Sequence, residues 1–266
     1  MKLVQEFNEF TWDMVRSLPL CYYYHFNKID YQLEHKLNLS SLYYFVKNKK
    51  EINKFNDKNP HDTYCYEGPP FIRKNWLPPP IKKDFQGVLN FQKPTLIVNN
   101  KYTKEWGRPP KNFLSIQILD YIFSQYKNKY QILYIRPLNT NSKDYYVDEN
   151  EILKFNDYEL IKNKHPEVIT IYDVLNNHAD LSFNTAQFAM HATSSKHISV
   201  SGGNACLSAY FSGDLIIYDT GTYRSNKSRP IWTSNSWLSK LSGSNIIGVH
   251  SNEQLKNILN EKFYME

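Results

Sequence analysis

From residue 113 onward, apolar and polar positions alternate with a regular beat. Phe113, Ile116, Leu119, Ile122, Phe123 and Tyr126 recur at helical spacing and predict a buried helix over 113–126. An apolar run at 130–135 follows and reads as a strand that stops at Arg136 and Pro137. Residues 151–164 read as a helix or an irregular helical cover, 168–172 as a strand, 173–177 as a short turn or helix, and 183–193 as a helix again. Strands are then predicted at 197–200 and 215–218, separated by the turn Ser201, Gly202, Gly203, Asn204 and a short helix carrying Leu207 to Phe211. A strand at 245–249 leads into a terminal helix that starts at Ser251, with Glu253 and Gln254 supporting its cap. Strands alternating with helices at this spacing predict a doubly wound parallel sheet, so the fold class is α/β.

The first 112 residues are less periodic. Residues 18–26 and 42–46 are rich in β-formers and read as strands, and 47–64 is polar enough to be a surface helix or loop. Five prolines between 68 and 80 predict extended chain laid over a surface. A compact strand at 94–99 runs into a polar stretch with Asn99, Asn100, Lys101, Glu105 and Trp106. The change in regularity predicts two units, an N-terminal lobe at 1–112 and a C-terminal lobe at 113–266.

Composition narrows the picture. The 266 residues include 41% hydrophobic and 22% charged positions, which suits a folded chain with a substantial core. The net charge of +6 is uneven: residues 1–112 carry 18 Lys and Arg against 11 Asp and Glu, and 113–266 carry 14 against 15. An anionic partner or substrate is therefore expected to meet the first half. No Arg-rich run or RNA-binding signature points to nucleic acid. Cys21, Cys65 and Cys206 are widely spaced, without a CxxC pair, as expected of reduced thiols in a cytoplasmic protein. No stretch approaches 18 apolar residues, so no transmembrane segment is expected.

The chemistry on offer is defined partly by missing motifs. There is no GxxxxGK[ST] phosphate loop, no GxGxxG, no GxSxG elbow, no HExxH and no DxD. His191 and His197 lack a metal-ligand spacing and read as core or surface histidines, so no metal or other cofactor is expected. What remains is the glycine pair directly after a strand. Glycine lets backbone approach a phosphate or ribose where a Cβ would collide, and carboxyl ends of parallel strands are where ligands bind in open α/β sheets. Ser201, Gly202, Gly203 and Asn204 are thus candidate nucleotide or nucleotide-sugar contacts, with Asn100 and Lys101 after the 94–99 strand as a second group. An ordinary turn is the competing reading for the glycines. Arg136, at the end of another strand, can neutralise a departing diphosphate or form an ion pair with Asp144 or Asp148.

The order of YQILYIRP, VITIYDV and FNTAQFAMHATSSKHISVSGGNACLSAYFSGDLIIYD resembles the donor-binding half of GT-B glycosyltransferases. It is most similar to metal-independent inverting groups: the fucosyltransferases and the xylosyl- and N-acetylglucosaminyltransferases of the same layout. The resemblance implies two Rossmann-like lobes, a nucleotide-sugar donor, a glycan acceptor, diphosphate binding by Arg136, and a nucleotide or sugar lined by Ser201, Gly202, Gly203 and Asn204. The N-terminal lobe would take the acceptor. An inverting transferase needs a base for the acceptor hydroxyl; candidates are Asp30, His25, Glu67 and Glu105, with Glu105 best placed by its position after a strand. The rival expectation is a non-catalytic module that binds a glycan or an anion on the same fold.

Overall fold

The computed structural model describes residues 1–6, 10–52, 74–104, 107–138, 151–221 and 236–263. Its centre is a six-stranded parallel sheet. In chain order the strands are β4 (Thr95–Asn99), β6 (Gln131–Ile135), β8 (Ile169–Thr170), β9 (Lys196–Val200), β10 (Asp214–Tyr218) and β11 (Asn245–Val249). Their spatial order is β11-β10-β9-β4-β6-β8, with every pairing parallel. The short pair β5 (Thr103–Lys104) and β7 (Glu151–Ile152) is antiparallel and stands apart.

Strand alternation divides the apolar side chains between two faces. Leu96, Val98, Ile132, Tyr134, Ile198, Val200 and Ile216 pack on α4 (Ile116–Tyr126), α5 (Asp157–Lys164) and α9 (Asn252–Phe263). On the opposite face, Ile97, Leu133 and Ile135 meet α6 (Ile171–Asn177) and α7 (Phe183–Ala192). Helices cover both faces, so strands such as β4 and β9 are buried along their whole length. Local signals set the helix starts: Ser115 accepts from Ile118 N–H, and Thr170 and Ser182 each form reciprocal caps with the residue three positions on.

The N-terminal region forms a three-stranded parallel sheet from β1 (Lys2–Glu6), β2 (Tyr31–Lys36) and β3 (Lys49–Ile52). Between β1 and β2 run a short helix α1 (Phe10–Trp12), a π-helical turn (Asp13–Ser17) and α2 (Leu18–Phe26). The strand expected at 18–26 is therefore a helix. Pro19 sits in its first turn, where a missing N–H costs nothing, and Leu18, Leu20, Cys21 and Tyr24 are buried. The strand expected at 42–46 is replaced by a 3-10 turn, Ser40–Tyr43. β2 went unread, although Tyr31, Leu33 and His35 alternate inward along it.

Two further expectations change. The boundary at 112/113 cuts through the large sheet, because β4 lies before it and pairs with both β6 and β9. The halves also share a core: Val4, Met14, Leu18 and Leu33 cluster with Cys206, Leu207, Leu215 and Ile217. Among the described residues, no helix is long and apolar enough to cross a membrane.

Candidate active site

The strand order creates one place where the loops leaving neighbouring strands part. From β4 the chain steps to β6 and β8 on one side, then returns to β9, β10 and β11 on the other. Ligands bind at such a switch point because the diverging loops leave a crevice above the carboxyl ends. Here those ends belong to β4 and β9. β4 delivers Asn100 and Lys101; β9 delivers Ser201, Gly202, Gly203 and Asn204. Six residues expected to bind a donor are thus gathered at one point.

Their contacts distinguish them. Asn100 is buried and committed: its Oδ1 accepts from Leu114 N–H at 2.9 Å, its Nδ2 donates to Leu114 O at 3.1 Å and Tyr134 Oη at 3.3 Å, and its N–H donates to Ile135 O at 2.9 Å. Asn204 Nδ2 donates to Asn100 O at 3.4 Å and ties the two loops. Both asparagines therefore build the crevice floor. Lys101 crosses from β4 to the glycine turn, where a Cβ placed on Gly202 would lie 3.5 Å from its Nζ. Gly202 has φ +126°, a conformation that side-chain-bearing residues rarely adopt. Ser201 donates its N–H to Tyr218 O at 2.9 Å, while its buried Oγ has no hydrogen-bond partner among the described residues. The helix after the turn, α8 (Gly203–Ser208), has only six residues, so positive charge at this point comes from Lys101.

Phe10 completes the turn. A Cβ on Gly203 would stand 2.5 Å from Phe10 Cδ1, so the ring rests directly on the glycine and needs its bare backbone. The ring is partly exposed. Asp13, three residues along the same helical segment, is wholly buried and accepts from Tyr43 Oη at 2.5 Å. Neither residue stood out in the sequence, since nothing local there distinguishes an apolar residue that docks on a distant glycine. A further tether bounds the crevice: Asn112 Oδ1 accepts from Thr220 N–H and Oγ1 at 2.8 and 2.9 Å, and its Nδ2 donates to Gly221 O at 3.2 Å. Asp219, at the end of β10, is buried beside this tether, with Oδ1 accepting from Gly221 N–H at 3.2 Å.

Of the remaining expected site residues, Arg136 follows Ile135 at the same end of the sheet, beside Asn100, and the others lie elsewhere. Arg136 is 1% exposed and engaged in a two-point ion pair with Asp157, and its Nη1 donates to Pro137 O at 3.0 Å. The rings of Tyr158 and Phe155 flank it at 5.2 and 5.8 Å. Burial first, and the Asp157 charge second, push the neighbouring Tyr134 hydroxyl well above its ordinary pKa, so it stays a donor to Asp157 at 2.5 Å. The guanidinium is thus occupied by a carboxylate where a diphosphate was expected. Asp30 is 80% exposed and precedes β2, at the amino ends of its sheet, so it is not gathered with the crevice residues. His25 is exposed at the end of α2. Glu105 and Glu67 lie outside the described residues.

Below the crevice floor, His191 and His197 stack at 5.3 Å with their Nδ1 atoms 3.3 Å apart, and Asn99 Nδ2 lies 3.5 Å from His191 Nε2. Both are buried, as expected of core histidines; burial pushes His191 far below its ordinary pKa and His197 down to about 3. Among the described residues, no group of three or more His, Cys, Asp or Glu side chains is arranged to hold a metal ion.

No family model and no curated protein matches the sequence. The structure is similar to the crystal structure of the glycosyl transferase family 9 protein from Veillonella parvula DSM 2008, with a TM-score of 0.50 and 5% sequence identity over 97% of this chain and 88% of that one. At that identity the likeness is one of fold. The chain has a GT-B-like α/β fold, with the strand order of its large sheet switching direction between β4 and β9.

Proposed function

We propose that this chain is a glycosyltransferase that binds a nucleotide-sugar donor at the β4–β9 switch point and passes the sugar to a glycan hydroxyl. The observation that carries the reading is the approach of Lys101 to the glycine turn, its Nζ 3.5 Å from where a Cβ on Gly202 would stand. A cation beside bare backbone suits a diphosphate, which needs charge neutralised close to the chain and room for its oxygens. The buried hydroxyl of Ser201, without a hydrogen-bond partner among the described residues, offers a further contact at the same turn. The fold shared with a glycosyl transferase supports the class of reaction.

In this reading Lys101 takes the role expected of Arg136: it stabilises the negative charge that develops on the leaving diphosphate, and no metal is required for that step. Arg136 instead holds the β6 end through Asp157. The base is assigned to Asp13, the carboxylate that shares a helical segment with the ring on Gly203, in preference to Asp30. Displacement by the acceptor oxygen, with its proton passing to Asp13, would invert the anomeric centre.

The test is thermal denaturation of wild-type and Lys101→Ala protein with UDP, GDP, CMP or dTDP, with and without EDTA. A nucleotide at about 100 times its dissociation constant adds roughly 2.7 kcal/mol to stability. One nucleotide is expected to stabilise the wild type regardless of EDTA, and the variant far less. Equal stabilisation of both proteins would remove Lys101 from the site. Donor hydrolysis or transfer then separates an enzyme from a module that only binds.

A further inference from the structure

Flat groups stand in a column at the carboxyl ends of β4 and β6. The guanidinium of Arg136 lies over the rings of Tyr158 and Phe155, and Tyr102 stacks on Phe155 with centroids 4.5 Å apart and planes 20° from parallel. Phe113 stands across both rings, at 81° to Tyr102 and 82° to Phe155, with centroids 4.9 and 5.9 Å away. Distances of 4.5, 4.9 and 5.9 Å close a triangle that is near right-angled at Tyr102, so Phe113 braces the side of the stack. A ring over the opposite face of Tyr102 would lie much farther from Phe155. Tyr102 therefore ends the column. It is partly exposed, and among the described residues no further ring or cation lies against it. Its carbonyl accepts from Leu153 N–H at 3.0 Å, and it follows Asn100 on the crevice floor by two residues, which keeps the two Cα atoms within about 7 Å.

We infer that the outer face of Tyr102 is the platform on which the nucleobase of the donor stacks. This rests on the donor site proposed above. A parallel stack that ends in a ring face is extended by another flat π-system, and every nucleobase offers one whatever its hydrogen-bonding edge. The foundation is rigid, because Arg136 is locked to Asp157 and Phe155 packs on the core beside α4 and α5. A platform held in place before the ligand arrives loses little freedom when the base adds to it. The layout across the sheet also fits. The glycine turn leaves β9 and the foot of the column leaves β6, with β4 between them, so two strand spacings, about 10 Å, separate the two. Phosphates at the turn and a base on the column leave the ribose above β4, which is the order in which a nucleotide is joined.

The experiment titrates wild type, Tyr102→Leu and Tyr102→Phe with UDP, GDP, ADP, dTDP and inorganic pyrophosphate by calorimetry. For the nucleotide that wild-type protein binds, Tyr102→Leu is expected to weaken binding by ~10-fold and pyrophosphate binding by less than ~2-fold, whereas Tyr102→Phe, which keeps the ring, stays within ~2-fold of wild type for both. Nucleotide and pyrophosphate are read on one preparation of each variant, so a loss of folded protein cancels in their ratio. Equal weakening of the two ligands in Tyr102→Leu would assign the ring to the shape of the crevice and overturn the inference while leaving the donor site standing. Equal nucleotide affinity in Tyr102→Leu and Tyr102→Phe would overturn it too, because the ring would then contribute nothing. Failure of wild-type protein to bind any of the five compounds would overturn the donor site and this inference together.

Discussion

Arg136 and Asp157 meet side-on, Nε to Oδ2 and Nη2 to Oδ1 at 2.6 Å, with side-chain exposures of 1% and 0%. Removing one member of such a pair strands the other charge in the interior. Arg136→Ala is expected to destabilise the fold by about 3–5 kcal/mol in urea denaturation. Removing both charges, as Arg136→Met with Asp157→Leu, is expected to recover part of that loss. A stability within about 1 kcal/mol of wild type combined with loss of nucleotide binding would return Arg136 to the donor site.

The glycine turn makes a second prediction. Gly202 has φ +126° and ψ −154°, so Gly202→Ala carries a backbone penalty of about 1–3 kcal/mol wherever its side chain points. The new methyl group also reaches Lys101 Nζ. Both effects act at the crevice, and the variant is expected to lose thermal stability and nucleotide binding together. Full nucleotide affinity in a destabilised Gly202→Ala would confine the turn to a structural role.

The stacked histidines give a pH dependence. Both are held neutral by burial, with folded pKa values below the unfolded value of 6.5, so the unfolded chain binds more protons just below neutrality. Their contribution is fully present above pH 6.5 and is lost as pH falls towards the folded values, about 3 for His197. Each histidine then costs about 1.4 kcal/mol per pH unit. Denaturant unfolding of wild type between pH 7 and 5 is expected to show this fall, and His191→Gln with His197→Gln to flatten it. Parallel curves for the two proteins would assign the acid sensitivity to other groups.

The large sheet was legible because its strands are short apolar runs separated by capped helices, each pattern carried within a dozen residues. Strands at 95–99, 131–135, 196–200, 214–218 and 245–249 lie within two residues of expectation. The glycine turn was legible for the same reason, being a local break after a strand. The N-terminal region was not, because Tyr and Cys in 18–26 favour strand locally while the buried face of a helix decides the outcome. The lobe boundary failed because membership of a sheet is a long-range property: nothing within 94–99 says that it pairs with 131–135 and 196–199. Arg136 forms an ion pair, one of its two expected roles, but with a carboxylate other than Asp144 or Asp148. Its position after a strand is local, but its partner Asp157 is 21 residues away.

Asp13 supplies the last prediction. Its carboxylate accepts the Tyr43 hydroxyl at 2.5 Å, and an amide oxygen at the same position can accept that bond, so Asp13→Asn is expected to keep the fold. It also keeps Phe10, Lys101 and the glycine turn, and with them donor affinity. Only the ability to take a proton from the acceptor is lost, a contribution of roughly 10²–10⁴-fold. Turnover should fall by that factor with the donor dissociation constant nearly unchanged. Asp30→Asn, at the amino ends of the small sheet, is expected to leave both quantities at wild-type values. Wild-type turnover in Asp13→Asn would require a different proton acceptor, and Asp219, buried at the end of β10, would then be the carboxylate to replace.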